Sequence, residues 1–249
     1  MLITWIYTLT SVVIISLISL IGIVTLPLKE SQFKKILLFL VSFSAGALLG
    51  DSFLHLLPES IKQYGLTLNV PICVLSGILI FFVLEKFIHW RHCHIPTSSH
   101  HPHPVGFMNL IGDGFHNCID GMIVAGSYLI SIPLGIGTTF AVVFHEIPHE
   151  MGNYGILLHA GFSRKRALLF NLLSASISVI GAVIVLIIGA KSQALSHFLI
   201  PFTAGTFIYV STADIIPELH EENEASKSVI QFLCILLGIG FMALLLLWE

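Results

Sequence analysis

Eight long apolar runs, separated by short polar stretches, organise the 249-residue chain. They lie near residues 3–28, 35–57, 68–90, 107–130, 134–160, 166–190, 197–217 and 228–248. Each is close to the roughly 20 residues that a helix needs to cross the hydrocarbon of a bilayer. The pattern therefore predicts an all-α membrane protein with eight transmembrane helices in a single polytopic domain, residues 1–249. The first run has no basic stretch before it and is too long for the apolar core of a signal peptide, so it counts as the first helix.

Composition narrows the class further. Hydrophobic residues make up 55% of the chain and charged residues 10%, with a mean hydropathy of +0.94. A soluble domain carries about a quarter charged residues, so a soluble enzyme, a nucleic-acid binder and a disordered chain are all excluded. The partners expected are the lipid bilayer and whatever the helices enclose. Four cysteines with no C-x-x-C pair argue against a disulfide framework or a thiolate zinc site.

Basic residues set the expected orientation. With the N-terminus outside, the inner segments hold nine of the eleven Lys and Arg residues: Lys29, Lys34, Lys35, Lys86, Arg91, Arg164, Lys165, Arg166 and Lys227. Both termini are then outside the cytoplasm, and a cell or bacterial inner membrane is favoured over an organelle membrane. The longest connector, 90–106, becomes a cytoplasmic loop rich in histidine (His92, His94, His100, His101, His103), a candidate for metal capture.

The chain also repeats itself. Ala45-Gly46 through Leu57-Pro58-Glu59 matches Ala204-Gly205 through Ile216-Pro217-Glu218 at a constant offset of 159, with Ser52 opposite Ser211 and His55 opposite Asp214. Four crossings lie between the two segments, so they run in opposite directions. The pattern predicts an inverted repeat of helices 1–3 and 6–8 around central helices 4 and 5, a transporter device.

Six acids lie inside the apolar runs: Asp51, Asp113, Asp120, Glu146, Glu150 and Asp214. Each costs roughly 2.5–3.5 kcal/mol at the bilayer centre, so six facing lipid would cost on the order of 15–20 kcal/mol, more than a fold's net stability. They must face the interior. No Lys or Arg lies comparably deep, which leaves protons or a permeating cation to neutralise them.

The fourth helix carries Asp113, His116, Asn117 and Asp120, and spacing of three and four places them on one face. The fifth carries His145-Glu146-Ile147-Pro148-His149-Glu150, with His145 and His149 four apart. Pro148 cannot donate to the Phe144 carbonyl, which predicts a kink there. A short connector makes the two helices antiparallel neighbours. Imidazole and carboxylate ligands without cysteine suit Zn2+, Fe2+, Mn2+ or Cd2+ and argue against Cu(I). Residues 145–149 also match H-E-x-x-H, so an intramembrane zinc metalloprotease is the alternative reading. It has no use for the repeat or the unbalanced acids, and Pro148 falls inside its motif. A non-enzymatic transporter is the reading preferred.

At these motifs the chain resembles the ZIP (Zrt/Irt-like) family of divalent-metal importers. It is most similar to the members reading H-N-x-x-D-G in the fourth helix and H-E-x-P-H-E-x-G-D in the fifth; here these are His116-Asn117-Cys118-Ile119-Asp120-Gly121 and His145 through Asn153. The resemblance implies a two-metal site between helices 4 and 5. His116, Asp120, His145 and His149 would bind the main ion, and Asn117, Asp120, Glu146 and His149 the second. It implies metal movement into the cytoplasm, no separate cofactor with Zn2+ as the bound substrate, and a homodimer. Asn153 departs from the Asp usual in that motif. The expected route enters by Glu59 and Asp51, crosses the cage with Asp113 and Glu150 beside it, and leaves by His55 or Asp214 toward the histidine loop.

Overall fold

A computed structural model of the chain describes residues 2–25, 30–89, 105–189, 193–220 and 224–248. They form eight helical runs, with no strand among the described residues. The first comprises Leu2–Ile18, a 3-10 turn Ser19–Ile21 and Gly22–Thr25. The second spans Glu30–Gly50, Asp51–Leu56 and Leu57–Tyr64, and the third is Asn69–His89. The fourth is Val105–Ile130 and the fifth Ile132–His159. The sixth is Arg164–Ala175 and Ile177–Gly189. The seventh joins Gln193–Tyr209, Val210–Ile215 and Ile216–Leu219, and the eighth is Ala225–Leu245 with a 3-10 turn Leu246–Trp248. Five stretches are long and apolar enough to cross a membrane: Leu2–Ile21, Leu38–Tyr64, Asn69–Lys86, Arg164–Gly189 and Ala225–Leu245. The fourth and fifth helices are not among them. The histidine loop (His92, His94, His100, His101, His103) and the Asp214 side chain lie outside the described residues.

Large apolar residues such as Leu79, Phe232 and Leu244 point outward, as expected of helices that meet lipid. The polar residues turn inward, and Asp51, Glu146 and Glu150 are fully buried. The fourth and fifth helices are joined by a single residue. Ser131 adopts an extended backbone and its hydroxyl accepts the Leu134 N–H at 3.2 Å, while Pro133 opens the next helix. The turn is tighter than its sequence suggests and leaves the two helices no choice but antiparallel contact.

The second helix does not end at Pro58, as the apolar pattern predicts, but continues to Tyr64. A π turn makes this possible. Over Asp51–Leu56 the bonding widens by one residue, and the Leu57 N–H reaches the Ser52 carbonyl. Proline has no N–H for the carbonyl four residues back and its ring crowds that carbonyl; the wider turn accommodates both. The seventh helix repeats this at Val210–Ile215, where the Ile216 N–H reaches Ser211. The two π turns are displaced by the same 159 residues as the sequence repeat. Side-chain contacts are exchanged as well: Ser52 donates to the Ala204 carbonyl at 3.4 Å, and Ser211 to the Ala45 carbonyl at 3.1 Å. Each segment packs on a partner through glycine, since a Cβ on Gly46 would collide with the Ile235 carbonyl and one on Gly205 with that of Val74. A local two-fold exchange thus relates the second and eighth helices to the seventh and third.

Hydrogen bonds between membrane helices average about 0.6 kcal/mol. Ser52→Ala and Ser211→Ala should each cost less than about 1 kcal/mol, read as a small shift in thermal unfolding in detergent. A larger loss would mean that these hydroxyls, rather than the glycine contacts, hold the repeat halves together.

Candidate metal centre

Helix periodicity delivers the ligands. His116 and Asp120 are four apart on the fourth helix, and His145, Glu146 and His149 lie within four residues on the fifth, so both sets face the shared seam. The fifth helix runs unbroken through Pro148, where the sequence predicts a kink. Aromatic rings close the seam, with Phe81 edge-on to His116 and Phe207 against His145.

One ligand atom from each of His116, Asp120, His145 and Glu146 falls within 4.8 Å of the other three. The two Nε2 atoms of His116 and His145 are 3.0 Å apart. Asp120 Oδ2 lies 3.7 Å from His116 Nε2 and 3.4 Å from His145 Nε2. Glu146 Oε1 is 3.3 Å from both. A tetrahedral ion with bonds of about 2.0–2.1 Å requires edges of about 3.3–3.4 Å between its ligands. Three of these distances have that length, and the other two, 3.0 and 3.7 Å, lie to either side of it. Calcium, which bonds at about 2.3–2.6 Å to six or more oxygens, would need a larger shell richer in oxygen.

The charge balance points the same way. Asp120 Oδ2 and both Glu146 oxygens are buried without a hydrogen bond. Among the described residues, Asp113, Asp120, Glu146 and Glu150 form no pair with lysine or arginine. Uncompensated carboxylates in a dry interior repel one another, and a divalent cation relieves this.

A second tier adjoins the cage. Glu146 Oε2 lies 3.8 Å from His149 Nδ1, which is 3.7 Å from Asp113 Oδ1. Asp113 Oδ1 accepts from Asn117 Nδ2 at 3.1 Å and from Asn153 Nδ2 at 2.6 Å. Glu150 is buried beside this tier, its backbone carbonyl accepting from Asn171 at 3.4 Å. The ligand sets carried over from the family place His149 in the main cage; here Glu146 also approaches that cluster, its two oxygens facing different tiers, while the His149 ring packs beside that of His116, 4.5 Å between centroids, with Nδ1 toward Asp113. His149 is also the most open of the three imidazoles, with 34% of its side chain exposed.

The outer residues sit elsewhere. Asp51 and His55 face Gly137, and His55 Nε2 donates to the Met242 carbonyl at 2.9 Å. Gly137 is eight residues before His145, about 12 Å along the helix. Glu59 lies on the same side, 3.4 Å from Lys62 and accepting from Gln63 at 2.6 Å. Successive rises along one helix put His55 between Asp51 and Glu59, on the Glu59 side of the cluster. Sequence reasoning missed Asn109, whose amide donates to Asn153 Oδ1 at 3.1 Å. Its position four residues before Asp113 was the available signal. Glu85, held by the Tyr209 hydroxyl, was also missed because it lies near a helix end.

Fold and site together define a multi-pass membrane protein with a His/carboxylate cluster, able to hold a metal ion, between its two central helices. The family model described as ZIP Zinc transporter matches residues 2–106 and 96–246, and the chain belongs to this family. Among relatives, "Zinc transporter ZIP13 homolog" of Drosophila melanogaster is 31% identical over 97% of this chain and 88% of its own length. "Zinc transporter ZIP13" of Pongo abelii is 32% identical over 97% and 78%, and "Zinc transporter SLC39A7" of Mus musculus 28% identical over 97% and 69%. The protease alternative finds no support here. Its mechanism needs Glu146 free as a general base, whereas Glu146 Oε1 lies 3.3 Å from both His116 and His145 Nε2.

Proposed function

We propose that this chain carries divalent transition-metal ions, zinc foremost, across its membrane into the cytoplasm. The match between the cage's edges and a tetrahedral zinc shell carries the reading, and the names of the relatives support it. An ion enters past Glu59, Asp51 and His55, exchanges water for His116, Asp120, His145 and Glu146, and moves on through Glu146 to His149 and Asp113. From there the ion passes toward Glu150 and Asp214, and the histidine loop receives it in this reading. Sharing Glu146 between tiers lets one ion weaken the hold on the next, which a carrier needs in order to release its cargo. The positive-inside bias places both termini outside, and the working unit is a homodimer. Fe2+, Mn2+ and Cd2+ suit the same ligands less specifically.

Uptake of Zn2+, Fe2+, Mn2+ and Cd2+ into proteoliposomes tests the reading; a wild-type chain that binds zinc but moves none would reduce it to a sensor. Protons compete with metal for imidazole nitrogen. Uptake should therefore fall as the outer pH is lowered from about 7.5 to about 5.5, across the range where histidine titrates. A pH-independent rate would remove the histidines from the rate-determining site.

A further inference from the structure

Asn153 occupies an unusual position in the inner tier. It lies one turn beyond His149 on the fifth helix, is buried, and reaches across to the fourth. Its Nδ2 donates to Asp113 Oδ1 at 2.6 Å, and its Oδ1 accepts from Asn109 Nδ2 at 3.1 Å. The carboxylate and the neighbouring amide thus orient it from both ends. Asn117 adds a second N–H to the same Asp113 oxygen, at 3.1 Å. With Oδ1 held by two amides, Oδ2 remains buried without a hydrogen bond. A carboxylate fixed in this way offers one oxygen to a cation while its rotation is blocked.

Only a neutral amide can do this. A carboxylate at position 153 would bring two acidic oxygens to within 2.6 Å, a spacing that requires a cation or a shared proton between them. The tier would then hold an ion where the present one passes it on. We propose that Asn153 is a positioning residue that sets metal selectivity and release: it anchors Asp113 while keeping one negative charge out of the inner tier. The inference rests on the transport reading and deepens it. An added oxygen ligand at this depth favours the harder Mn2+ over Zn2+, which prefers the imidazoles of the cage.

The test compares Asn153→Asp, Asn153→Ala and the charge swap Asn153→Asp with Asp113→Asn. Each full-length chain is purified, titrated with Zn2+ and Mn2+ at equilibrium, and reconstituted for uptake kinetics. Asn153→Asp should bind Mn2+ about tenfold more tightly and lower KM and kcat together, an effect of the size typical for groups that support metal ligands. Asn153→Ala should raise KM, because Asp113 loses its anchor. The swap restores the charge count and the hydrogen bond with the roles exchanged, and should return the Mn2+ to Zn2+ ratio toward wild type. Equal loss of rate in all three with KM unchanged, or a swap that leaves the ratio shifted, overturns the proposal. If the wild-type chain moves no metal, transport fails as a function, while the equilibrium titrations still decide the role of Asn153.

Discussion

Asp120→Asn should abolish zinc uptake and weaken equilibrium zinc binding by about 100-fold or more, while leaving the metal-free protein at least as stable as wild type. The side chain is almost fully buried, and Oδ2 stands 3.4 Å from His145 Nε2 and 3.7 Å from His116 Nε2. Removing its charge turns an anionic ligand into a weak neutral one, and a 100-fold loss corresponds to about 2.7 kcal/mol. Without metal the sign reverses. Asp120 and Glu146 share one dry pocket with no lysine or arginine against them among the described residues, so a neutral amide relieves repulsion. Thermal unfolding in detergent with and without Zn2+ separates the two effects, since a ligand stabilises only the state it binds. A variant that keeps the zinc-dependent rise in Tm would show that the cage is not the binding site.

Gly121→Ala should be the most damaging single-methyl change in the protein. The fourth and sixth helices cross here: a Cβ on Gly121 would strike the Ser178 carbonyl, and one on Gly181 the Cys118 carbonyl. Both obstacles are backbone, so relief requires the helices to part. Overpacking of this kind costs about 1–3 kcal/mol, and more where nothing flexible yields. Gly121 directly follows Asp120, so the cage should loosen with the crossing, and both Tm and zinc affinity should fall. Gly152→Ala supplies the contrast. That glycine lies in the fifth helix near His149, and a Cβ there meets nothing within 4 Å. Alanine is preferred to glycine inside helices by about 1 kcal/mol, so this variant should be neutral or slightly stabilising. Similar losses in both variants would mean that helix propensity, not the crossing, sets the response.

Particular elements mark how far the primary structure could be read. The ligand stripes on the fourth and fifth helices were legible, because residues four apart share a face whatever the helix packs against. The repeat was legible from Ala-Gly, Ser and Pro-Glu at one offset, but not the π turns that it encodes. A proline two residues beyond each turn is their only local mark, and it reads equally well as a helix end. How closely Glu146 approaches the His116–His145 pair could not be foreseen. Glu146 and His149 lie on the seam-facing side of one helix, and how far each reaches into the cluster depends on a small rotation about the axis. The Asn109–Asn153–Asp113 chain was hidden for the same reason, since it joins residues of different helices at one height.

By itself the amino-acid order determined the class of protein, the number of helices, their burial of acids and the side chains available to a metal. These follow from hydrophobicity and the 3.6-residue period, which act over one or two turns and need no knowledge of neighbours. Only the tertiary structure decided which atoms cluster between the central helices, how near Glu146 comes to them, and what Asn153 holds. Those depend on the height and rotation at which helices dock. Here the docking is set by glycines pressed against carbonyls of chain segments far away in sequence.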